Sequence, residues 1–197
     1  MPGLSTGARE VAVDFALGRI ARISLPTLRH FAWRTQSFRR KSWQATGRNG
    51  FAPAGQKKEG DGRTPSGTFY LKQAFGYPPL VKTGLDYRQA TDNDFWVDDP
   101  SSTYYNQWVD GKPLAQSFER LKRDDDLYKY GIVVEYNTEP IESGKGSAIF
   151  VHVWRGPDSS TAGCMALSEE NLIKLLEWLN KMESPMIILG EDVQDGK

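Results

Sequence analysis

The chain has 197 residues, 39% of them hydrophobic, with one cysteine, two histidines and a formal net charge of zero. That is enough apolar material for the core of a single domain, and the neutral total argues against nucleic acid binding through bulk charge. A lone thiol rules out an internal disulfide; with no paired cysteines and no His-Glu-x-x-His run, neither a metal site nor any other cofactor is expected.

Charge is unevenly placed. Residues 1–48 hold nine Lys/Arg against two Asp/Glu, and the remainder holds sixteen against twenty-three. Residues 1–46 therefore read as a separate basic segment, a divergent cap or an arm, with His30 structural or exposed. No run of eighteen apolar residues is present, so no transmembrane helix is expected. Residues 11–25 do not make a secretory signal peptide, because Asp14, Arg19 and Arg22 interrupt them.

From residue 47 the chain turns to glycine, Asp and Pro, with Gly60, Gly62 and Gly67 suited to positive φ and Pro65 to a bend before a strand over 68–71. Residues 75–108 are polar, aromatic and punctuated by proline, as in long ordered loops over a cleft. In that stretch Asp98 and Asp99 are candidates to meet an ammonium group, although turn aspartates are common before proline. Residues 114–122 read as a helix, 123–126 as a solvated turn and 130–136 as a strand.

Residues 147–154 alternate and are rich in β-formers, which predicts a buried strand ending near His152, with Cys164 across a short Gly/Pro/Ser loop. Ser168 can cap a helix whose Leu172, Leu175, Leu176 and Leu179 recur at helical spacing, with Glu169 and Glu170 in its first turn and Pro185 beyond its end. Residues 186–189 make a last short strand, and 191–197 a tail.

Cys164 follows His152 by twelve residues, a spacing that suits a thiol nucleophile and its base. Only the thiolate attacks a carbonyl, and with a free pKa of about 8.5 it needs help from an imidazole or a helix start. The structural alternative is a buried thiol and an inert strand histidine. Gly163 favours chemistry, since a sharp turn there would aim backbone amides at one oxyanion. Histidine before cysteine at short range is also unlike papain-type peptidases.

His152 followed by Thr161-Ala162-Gly163-Cys164 resembles the signature of the L,D-transpeptidases with a YkuD-type catalytic domain. Gly60-Asp61-Gly62-Arg63-Thr64-Pro65-Ser66-Gly67-Thr68-Phe69 resembles the same family's turn and strand. The likeness covers about residues 47–190 and is nearest a branch with His-x-Trp-Arg-Gly before the nucleophile. It implies a mainly β (α+β) domain, sandwich- or barrel-like, with one long helix after the nucleophile and a loop-rich insertion. It also implies that Cys164 attacks a peptidoglycan stem peptide, with His152 moving the proton, amides of Gly163, Cys164 and Met165 as oxyanion donors, and a backbone carbonyl or small hydroxyl holding the imidazole, for which Ser160 and Thr161 are the candidates. Many members carry Arg where Ala166 stands here; Arg155, beside Trp154, is the candidate replacement for binding a substrate carboxylate. Asp61 and Arg63 are weaker candidates. The family's place is the periplasm or cell envelope. Cross-linking, trimming of tetrapeptides by water, hydrolysis of another amide, and a non-catalytic wall-binding module all stay open.

Overall fold

The computed structural model describes residues 8–13, 19–26 and 43–191, with side chains over 45–190. Strands β1 (Ala8–Val13), β2 (Arg19–Pro26) and β3 (Trp43–Ala45) precede the long β4 (Gly67–Gly76). Short strands β5 (Asp86–Gln89), β6 (Asp94–Val97), β7 (Trp108–Asp110) and β8 (Phe118–Arg120) follow, then β9 (Tyr130–Val134), β10 (Phe150–Val153) and β11 (Met165–Leu167). Helix α1 (Glu169–Trp178) and β12 (Met186–Glu191) end the fold. It is mostly β, as expected. His30 and residues 192–197 lie outside the described residues.

The larger sheet runs β1-β2-β12-β4-β9-β10-β11-β3, with β5 added beside β4; β7-β6-β8 form a second sheet. Three strands thus form inside the basic segment, and β2 pairs antiparallel with β12. The expected helix over 114–122 is not formed. Leu114 is fully exposed, Leu121 is buried, and between them β8 pairs with β6, Glu119 opposite Trp96. Apolar residues at 114, 118 and 121 mimic helical spacing, but a partner strand more than twenty residues upstream supplies the backbone bonds, and tertiary pairing overrides the local pattern.

Helix α1 starts as its sequence predicts, the Ser168 side chain accepting from the Asn171 amide, and it buries Leu172, Leu175 and Leu176. These pack on Val151 and Val153 of β10. Successive strand residues point to opposite faces, so Phe150 and His152 turn the other way. There Phe150 sits in an aromatic cluster with Phe75 at 5.2 Å, Trp96 at 5.1 Å and Tyr128 at 5.6 Å between ring centroids. Gly131 makes room for it, since a Cβ there would fall 2.4 Å from the Phe75 ring. This cluster seats the small sheet on the face of β10 that carries His152.

Candidate active site

Strands β10 and β11 are parallel neighbours, with Val151 opposite Met165 and His152 opposite Ala166. The loop over 154–164 returns the chain beside the strand it has just left. Cys164, one residue before β11, therefore comes level with Phe150, two residues along from His152 on the same face. Both line one cavity of about 700 Å3 with Trp154, Arg155, Ser160, Thr161 and Ala166.

His152 is buried, its Nδ1 2.7 Å from the Val153 carbonyl oxygen. A carbonyl only accepts, so Nδ1 carries the proton and Nε2 keeps its lone pair for the cavity. Burial lowers the imidazole pKa to about 4. The Cys164 thiol is also buried; it donates to the Ala148 carbonyl at 3.2 Å and accepts from the Phe150 amide at 3.4 Å. Burial, then the charge of Glu119, raises it to about 12. The resting pair is neutral, and among the described residues no hydrogen bond joins Sγ to the imidazole.

The turn carrying Cys164 is clasped by the earlier glycine-rich block. Thr161 exchanges backbone bonds with Thr46 and Arg48, at 3.0 and 2.9 Å. The hydroxyl of buried Thr64 donates to the Cys164 carbonyl at 3.4 Å and accepts from the Gly47 amide at 2.8 Å. At Gly163, with φ +156°, a Cβ would stand 2.9 Å from the Arg63 carbonyl oxygen. Asp61 accepts from Lys57 and from the amides of Lys58 and Arg63, and against burial these bonds hold its carboxyl below the usual range. Asp61 and Arg63 serve the turn; neither lines the cavity.

The remaining site candidates fall in different places. The group holding the imidazole is the Val153 carbonyl; Thr161 instead accepts from the Gly163 amide at 3.1 Å and donates to the Cys164 carbonyl at 2.6 Å, and Ser160 only lines the cavity. Gly163 is thereby engaged as a donor, which leaves the Cys164 amide without a protein acceptor among the described residues. Asp98 and Asp99 lie away from the cavity lining. Asp99 accepts from Ser101 and from the Gln116 amide. Asp98 has Oδ1 buried without a partner among the described residues, and burial raises its carboxyl.

The opposite wall holds residues that sequence reasoning missed: Glu119, Arg123, Asp125 and Tyr128. The Tyr128 ring meets His152 edge-on at 5.3 Å, and its phenol donates to Glu119. Arg123 holds Asp125 through two bonds of 2.8 and 3.0 Å. Arg155, 66% exposed, approaches Asp125 only to 4.0 Å. Asn106 Oδ1 accepts from Trp96 and from the amide of Ala148, whose carbonyl receives the thiol. No local sequence signal marks these residues, because they meet only through tertiary packing.

A β-rich domain thus places a thiol and a neutral imidazole on one cavity face. The family model for YkuD, the L,D-transpeptidase catalytic domain, matches residues 18–188, and the chain belongs to that family. No curated protein and no solved structure matches the chain. The family is associated with the cell wall, and among the described residues no helix is long and apolar enough to cross a membrane.

Proposed function

We propose that the protein is a peptidoglycan L,D-transpeptidase that works through a Cys164 thioacyl intermediate in the cell envelope. The observation that carries this reading is the shared cavity of Cys164 and His152, with Nε2 left unprotonated by the Nδ1 bond to Val153. The carbonyl attacked is that of the third residue, a diamino acid, in a tetrapeptide stem. As the S–C bond forms, the thiol proton passes to His152 Nε2. The C–N bond to the terminal D-alanine then breaks, and its amine takes that proton.

An amine of a second stem attacks the thioester, gives its proton to His152 and releases the thiol, joining two third-position residues. Water in place of that amine trims the stem to a tripeptide. The Cys164 amide faces the developing oxyanion in this reading, a contribution of about 3 kcal/mol. Arg155, exposed at the cavity edge and loosely paired, binds a stem carboxylate; Trp154 flanks it.

The test is incubation with disaccharide tetrapeptides, Cys164→Ala alongside, following products and intact-protein mass. D-alanine release with a Cys164-dependent adduct supports the reading, and dimer against tripeptide tells cross-linking from trimming. Folded protein giving neither adduct nor product points to another amide or a wall-binding module. For Arg155→Ala, an unchanged KM removes that residue's role.

A further inference from the structure

Glu119 stands on β8, in the wall that faces Cys164 and His152 across the cavity. One carboxylate oxygen, Oε2, accepts from the Tyr128 phenol. The other takes no bond among the described residues, and the side chain is partly exposed. Other carboxylates nearby are occupied. Asp94 accepts from Arg88, Trp108 and Thr91, Asp99 from Ser101 and Gln116, and Asp125 from Arg123. Asp124 also lines the cavity but is exposed, where water screens its charge.

The charges around Glu119 do not balance it. Asp98 and Glu59 add negative potential, and the cation that reaches it is Arg123, already held by Asp125. Arg120 turns its guanidinium over the Phe95 ring at 5.8 Å, and Arg155 sits beside Asp125. A carboxylate partly withdrawn from water is stable when a cation faces it, and among the described residues the one that reaches it, Arg123, is shared with Asp125. Burial raises the Glu119 carboxyl accordingly.

We propose that Glu119 receives a primary ammonium of the stem peptide, an assignment that rests on the reading of the cavity as a stem-peptide site. A diamino residue carries such a group whether it belongs to the donor stem or to the incoming acceptor. Docking it at Glu119 also cancels the charge that, after burial, does most to hold the Cys164 thiol protonated. The nucleophile is then easier to ionise with substrate bound than without it.

Binding to Cys164→Ala, which cannot turn over, tests this apart from catalysis. A tetrapeptide with a free side-chain amine should bind about tenfold tighter than its amine-acetylated form, the size expected of a charge-assisted bond. Glu119→Gln should erase that preference, and Glu119→Asp should keep part of it, which also covers the case of an unstable Gln variant. Equal binding of the two peptides, or a preference that survives Glu119→Gln, overturns the assignment. An intact preference in a protein that releases no D-alanine sinks the transpeptidase reading alone. In the active enzyme, a raised donor KM in Glu119→Gln places the ammonium on the donor, a raised acceptor KM alone places it on the acceptor, and no change in either overturns the assignment.

Discussion

The two walls of the cavity are held in different ways. Around Cys164 the backbone is clasped by backbone and hydroxyl groups of a stretch a hundred residues earlier, through Thr46, Gly47, Arg48 and Thr64. Opposite it, Glu119 on β8 and Arg123, Asp125 and Tyr128 in the segment that follows are fixed by side chains and packed by aromatic rings. A wall made of backbone sets atoms to within a bond length and tolerates no added bulk. A wall made of side chains can change its charges without moving the nucleophile. The first suits the chemical step and the second suits choice of substrate.

The sharpest way to break this division is His152→Gln. Removing the base should lower kcat by about 10³ with little change in KM, measured as D-alanine release. Next comes pH. The folded imidazole resists protonation down to about 4, whereas the unfolded one protonates near 6.5. Between those values the unfolded state binds the extra proton, so stability is full above 6.5 and falls as the solution is acidified, by about 3 kcal/mol at the bottom of the window. Urea titrations across that range should show His152→Gln with a flatter acid limb.

Gly163→Ala should cost about 2 kcal/mol of stability through its positive φ and the Arg63 contact, and should depress kcat. The smallest effect belongs to the sheet behind the far wall, where β6 pairs with β8. Asp94→Asn weakens the bonds from Arg88 and Trp108 at 2.6 Å each. It should cost about 1 kcal/mol and raise KM while leaving kcat near its original value. A kcat loss there equal to that of Gly163→Ala would end the distinction between the walls.

The same difference decides what could be read from the sequence. The backbone wall is spelled by residues chosen for what they lack or cap: Gly163 for a missing Cβ, Thr64 for a short hydroxyl, Ser168 for the start of α1. Such choices leave a pattern along the chain, and Cys164, His152 and the helix after them were legible for that reason. Glu119 left none. Its residue type suits the surface of a helix or an edge strand equally, and only pairing with Trp96 turns it inward. The carbonyl holding His152 was equally invisible, since every residue has one.

Burial of the sulfur has a further consequence. Cys164 is the chain's one thiol, 7% exposed, and burial holds it protonated at neutral pH. Peroxide and disulfides react with thiolates in reach of solvent, so the resting protein is a poor target for both. The thiol is sheltered from oxidative damage, and alkylating reagents that count thiols at neutral pH will under-report it until the protein is unfolded.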